Sequence, residues 1–107
     1  MPPRPTVLLT ACVLVGSASA QAEQTLTANA ADAALVTVIQ AHSRCLLETN
    51  TLPAPKVRVI AEQWLKRQGV TQERRQRVER SPGFQDQVMA YIQQRGGCHR
   101  IIHTLLP

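Results

Sequence analysis

The sequence predicts an all-α protein: a small four- to five-helix domain with one disulfide, preceded by a cleaved signal peptide. Three observations carry this expectation. The chain is rich in Ala, Gln, Arg and Leu, all good helix formers, and has only one Phe, one Tyr and one Trp where a sheet would favour aromatic and β-branched residues. Its apolar residues recur at three- and four-residue spacing, the period of a helix face. Two cysteines, Cys45 and Cys98, stand far apart beyond the N-terminal apolar run.

That run comes first in the chain. Met1 to Pro5 carries a positive charge at Arg4, and Thr6 to Val15 is apolar apart from Thr6 and Thr10. A membrane-spanning helix needs about 20 apolar residues, roughly twice this length. Gly16-Ser17-Ala18-Ser19-Ala20 follows, with small residues suited to an A-x-A cleavage site, so residues 1–20 read as a signal peptide cut after Ala20. The expected destination is periplasmic or extracellular, with no transmembrane segment in the mature chain. Leu9-Thr10-Ala11-Cys12 also matches a lipobox, which would make the protein a lipoprotein anchored at Cys12. The short apolar stretch before Cys12, and the further apolar Val13-Leu14-Val15, favour ordinary cleavage, with Cys12 discarded as a small hydrophobe.

Residues 21–28 are polar, rich in small residues and without periodicity, and read as a flexible lead into a helical domain over residues 29–107. A domain of this size has a core that is only marginally stabilising, so a staple matters. An even cysteine count in an exported chain favours a Cys45–Cys98 disulfide. Closing a loop of about 54 residues contributes roughly 4 kcal/mol through chain entropy. Neither cysteine has the C-x-x-C neighbour that lowers a redox thiol's pKa.

The first helix is expected near Asn29, capped by its side chain, with Asp32 as a carboxylate near the positive end. It runs to about Glu48, with Leu35, Val38, Ile39, His42, Cys45 and Leu46 on one face. Asn50 to Pro55 breaks it, and Pro55 suits the first turn of a second helix. There Val57, Ile60, Ala61, Trp64 and Leu65 form an i, i+3, i+4, i+7, i+8 stripe, ended by Gly69 as a left-handed cap. Thr71 caps a short third helix to about Arg80, and Ser81-Pro82 reads as cap and first turn of a fourth. Phe84, Val88, Tyr91 and Ile92 give that helix its buried side, with Met89 at the margin, and Gly96-Gly97 ends it. Cys98 to Leu106 carries Ile101, Ile102, Leu105 and Leu106, spaced as a short helix although a strand also fits the pattern.

Charge is the main functional signal. The chain carries a formal net charge of +5, concentrated between residues 66 and 80. Lys66, Arg67, Arg74, Arg75, Arg77 and Arg80 there oppose Glu73 and Glu79, and Glu73 to Arg77 is a favourable i,i+4 pair. The plain reading is a solvated helix face. The sharper one is a surface for phosphate, lipid head groups or an acidic protein. Nucleic acid is disfavoured, because an exported chain rarely meets it and stacking platforms are scarce.

Other chemistry is thinner. His42, Cys45, Cys98, His99 and His103 contain the ligand types of a Cys2His2 zinc site or a thiol-redox centre, but both thiolates would have to stay free in an oxidising compartment. Gly96-Gly97-Cys98-His99 resembles the end of the haem-attachment motif C-x-x-C-H, with Arg95 where the first Cys belongs. No G-x-S-x-G elbow, phosphate loop, EF-hand or H-E-x-x-H is present, and Glu48, Glu62, Glu73, Glu79 and Asp86 are scattered. The expectation is an exported, non-enzymatic binding module with no cofactor, contacting a protein or an anionic surface. The alternative is a metal-binding or thiol-redox protein.

Overall fold

Five helices and no strand occur among residues 29–106, the part of the chain that the computed structural model describes. The predicted signal peptide, Cys12 and the segment 21–28 lie outside the described residues. The chain divides into a unit ending at Ala31 and a unit beginning at Asp32, and the architecture below is that of the second. Helix α1 is described over residues 29–48, followed by α2 (Ala54–Arg67), α3 (Gln72–Glu79), α4 (Phe84–Gln94) and α5 (Cys98–Leu105). No helix of the described residues is long and apolar enough to cross a membrane.

Three of the helices end in the same way. At the ends of α1, α2 and α4 the chain turns through a left-handed residue, Asn50 (φ 53°), Gly69 (φ 79°) and Gly96 (φ 90°). Just beyond each, a backbone N–H reaches back across the last turn: Thr51 to the Leu46 carbonyl, Val70 to that of Leu65 and Gly97 to that of Ile92, at 2.9–3.0 Å. This is the Schellman arrangement, which satisfies carbonyls that a helix end leaves without partners. At α2 it also seats a hydrophobic pair, since Val70 and Leu65 are both buried. Gly69 therefore plays the capping part its position predicts.

Helix starts follow the sequence less uniformly. Pro55 sits in the first turn of α2, where a missing N–H costs nothing. Thr71 caps α3, its hydroxyl accepting the Arg74 backbone N–H at 3.2 Å. Ser81 does not cap α4. Its hydroxyl donates backward to the Arg77 carbonyl at 3.0 Å, closing α3, and α4 starts at Phe84 after a left-handed Gly83. Asn29 is already inside α1. The C-terminal segment is a helix, which resolves the choice its periodicity left open.

One apolar cluster joins all the helices except α3: Val36, Ile39, Ala41, Cys45 and Leu46 from α1, Val57, Ala61 and Leu65 from α2, Phe84, Val88 and Ile92 from α4, and Ile101 and Ile102 from α5. Burying each large side chain contributes about 1.5–3 kcal/mol. From α3 only Val78 packs against this cluster, half-buried, and no residue of that helix is fully buried. The core differs from the predicted stripes at identifiable places. Val36 and Ala41 are wholly buried although neither belongs to the predicted face of α1, whereas Ile60 of the α2 stripe is 43% exposed. Leu105 and Leu106 are also exposed, beside buried Ile101 and Ile102.

Candidate functional site

The basic stretch is built around one residue that faces inward. Arg74 extends from α3 to Asp32 on α1, its Nε–H donating to Oδ2 at 2.8 Å and its Nη2 to Oδ1, while Nη1 donates to the Gly69 carbonyl at 2.9 Å. The guanidinium is thus held on three sides. The Asp32 side chain is 9% exposed and that of Arg74 39%, so the pair lies at the edge of the core. The hydrogen bond from Arg74 holds the Asp32 carboxyl below its ordinary value of 3.8, against the opposing effect of burial, and the charges of Arg74 and Arg77 add to the lowering. Asp32 is therefore a structural anchor and not only the helix-end carboxylate its sequence position suggests.

The other cations differ in how fully they are engaged. Arg75 pairs with Glu79 at 3.3 Å and Arg77 with Glu73 at 3.6 Å, both i,i+4 on α3. The second pair is open to solvent, with side chains 65% and 85% exposed, so it constrains Arg77 little. Lys66 and Arg67 occupy the last turn of α2, where positive charge complements the helix dipole. Together with Arg80 they are exposed and form no ion pair among the described residues. Lys66 and Arg75 line one cleft between α2 and α3, with Glu62 on its rim.

The sulfurs of Cys45 and Cys98 lie at disulfide distance, with Cα atoms 5.0 Å apart, joining the buried side of α1 to the first residue of α5. A Glu48 carboxylate oxygen lies 3.6 Å from the Cys98 sulfur. The histidines separate into two places. His99 and His103 border a broad hollow with Thr49, Thr51, Ile102 and Leu106, whereas His42 lines a cleft with Tyr91, Arg95, Arg100, Ile101 and Thr104. Among the described residues no three His, Cys, Asp or Glu side chains are grouped to hold a metal ion.

The cleft at His42 has a definite internal order. The Tyr91 ring meets the imidazole edge-on, with centroids 6.0 Å apart and planes at 61°. The Arg95 guanidinium carbon lies 4.8 Å from the centre of the same ring, a cation–π contact. Burial, and then the Arg95 charge, push the His42 imidazole below its ordinary 6.5, so it is neutral at pH 7. Comparison with models of protein families, with curated proteins and with solved structures finds no match to this chain. Any functional reading therefore rests on these side chains alone.

Residues 66–80 are where the sequence concentrates its charge, and the structure adds a second cationic group, Arg95 and Arg100, at the His42 cleft. The available signal was Tyr91 and Arg95 at i,i+4 on a helix, followed after Gly96-Gly97 by Arg100 with no acid between them. The pairing of Asp32 with Arg74 carries no local signal, since the two are 42 residues apart.

Proposed function

We propose that this protein is an exported helical module that binds an anionic partner, a protein or a charged surface, through the basic edge formed by α3 and the end of α2. The observation that supports this reading is the character of α3. It buries no residue fully, yet it is capped by Thr71 and tied down by Arg74, and it leaves Arg77 and Arg80 facing solvent after Lys66 and Arg67. A helix that adds little to the core but is firmly held suits a surface that presents charge. Export is part of the same reading: the N-terminal run ends in an A-x-A pattern, and a disulfide persists where thiols are not kept reduced. Arg74 and Arg75 support the edge, and Lys66, Arg67, Arg77 and Arg80 make the contacts.

Three measurements test it. Intact mass of protein from the exported fraction, taken without reductant, should match a chain beginning at Gln21 with no alkylatable thiol. Sedimentation with vesicles of acidic lipid, and capture of an acidic protein, should both be followed at rising salt, since contact of this kind weakens as the screening length shrinks. Replacing Lys66, Arg67, Arg77 and Arg80 together by Gln should abolish binding. Salt-independent binding, or binding that survives the fourfold change, rules the basic edge out.

A further inference from the structure

The cleft between α1, α4 and α5 gathers positive charge from two arginines, and among the described residues no carboxylate lines it. Arg95 and Arg100 border it with His42 and Tyr91, and neither arginine forms an ion pair among the described residues. An anion entering this hollow is attracted by the charge of both side chains.

The fold holds them there by specific means. Arg95 caps the end of α4 and rests on the Tyr91 ring, so part of its conformational freedom is already spent before any ligand arrives. Arg100 lies across the turn between α4 and α5. A Cβ at Gly96 would come within 2.6 Å of its Cδ, and Gly96 also has φ +90°, so both the turn and the path of Arg100 call for glycine. The Thr104 hydroxyl is already donated to the Ile101 carbonyl at 2.7 Å, which leaves the arginines as the cleft's main donors. A volume of about 220 Å³ suits a small ion or a single headgroup and is too small for a nucleotide.

We propose that this cleft is a binding site for a small oxyanion, a carboxylate or a phosphate group, held by Arg95 and Arg100 with His42 and Tyr91 as its wall. A forked guanidinium matches either group with paired hydrogen bonds. The site is separate from the basic edge of α2 and α3 and does not depend on it. Tyr91 of α4 meets the His42 ring, the Arg95 charge at the end of α4 reaches it, and Arg100 of α5 lines the same cleft. Burial and then the Arg95 charge keep the imidazole neutral, and a bound anion offsets the second of these, so binding should tighten as pH falls.

The test is an NMR titration of the intact protein with inorganic phosphate and, separately, with acetate, at constant ionic strength set by chloride. Saturable shifts at the Arg95 and Arg100 side chains, with His42 titrating at higher pH in the bound form, are expected for at least one of the two. The one that binds tells a phosphate source from a carboxylate source. Arg95→Gln with Arg100→Gln should weaken binding at least tenfold, whereas the fourfold Gln variant of Lys66, Arg67, Arg77 and Arg80 should leave it unchanged. Arg95→Lys keeps the charge but loses the fork, and should fall between the two. Absence of saturation with both anions, or binding that survives the double variant in a chain that remains helical by circular dichroism, overturns the proposal.

Discussion

Asp32 and Arg74 stand 42 residues apart in the chain and share two hydrogen bonds, one donated from Nε and one from Nη2. This pair fastens α3 to α1, and it does so where α3 has almost no apolar contact of its own. Its effect on stability has a pH signature. The folded carboxyl titrates below its ordinary 3.8, so the unfolded chain takes up a proton first as acid is added. The stabilisation is complete above about pH 4–5 and is lost as pH falls through the lowered native value. Asp32→Asn should lower stability at pH 7 by about 1–2 kcal/mol, discounted for the partial exposure of Arg74, and flatten the acid limb. Urea unfolding of both proteins between pH 2 and 7 checks this.

His42 leads to a second pH dependence, at milder acidity. Its native value is lowered from 6.5, so the unfolded state binds the proton more readily and the fold loses stability as pH drops below about 6.5. His42→Gln should remove that slope without touching the lower one from Asp32. Unfolding midpoints at half-unit pH steps separate the two.

Breaking the Cys45–Cys98 link should cost far more than either. The residues are 53 apart, and in chain-entropy terms opening such a loop removes about 4 kcal/mol, a large part of what a domain of this size can have. Unfolding in urea with and without reductant, together with the Cys45→Ala, Cys98→Ala double variant, measures it.

On α2, Ile60 and Leu65 should differ sharply in what their truncation costs. Leu65 is 3% exposed and Ile60 43%, so Leu65→Ala should destabilise by about 2–4 kcal/mol and Ile60→Ala by no more than about 0.5–1 kcal/mol. Comparable losses at the two positions would contradict the packing described.

At the helix ends, Gly69 has open space around a would-be Cβ, so the cost of Gly69→Ala comes only from its φ of +79° and should be about 1 kcal/mol. Asn50, with φ 53°, should gain slightly when changed to Gly. Thermal melts of the two variants should move in opposite directions.

What the sequence makes legible here is what local physics decides. Pro55, Gly69 and Thr71 act through their own backbone or the adjoining turn, and all three sit where their chemistry predicts. The pairing of Cys45 with Cys98 agrees with the even cysteine count beyond the N-terminal run, whereas the period of residues 98–106 left helix and strand open and the structure shows the helix. Choices among faces are less legible. Val36 and Ala41 of α1 are covered because other helices happen to lie against them, and Ile60 is left out for the converse reason. Ser81 stands between the carbonyl-rich end of α3 and the N–H-rich start of α4, and its hydroxyl donates to the former. The basic residues look equivalent in the sequence, but a remote carboxylate on α1 engages Arg74 and leaves Lys66, Arg67 and Arg80 unpaired among the described residues. His42 and His103 likewise look like one ligand set until the helices assign them to different hollows.

The cysteine link also turns the middle of the chain into a covalent ring with two tails. Helices α2, α3 and α4 belong to the ring, and most of α1 and all of α5 after Cys98 hang outside it. A protease that cuts the exposed turn at Ser81-Pro82-Gly83 would leave a single particle on a non-reducing gel and two fragments only after reduction. Tension applied between the ends of the domain would pass from α1 through sulfur to α5 and bypass the ring. Asp32 lies on the α1 tail outside the ring, so the same pull would load the Asp32–Arg74 pair that fastens α3.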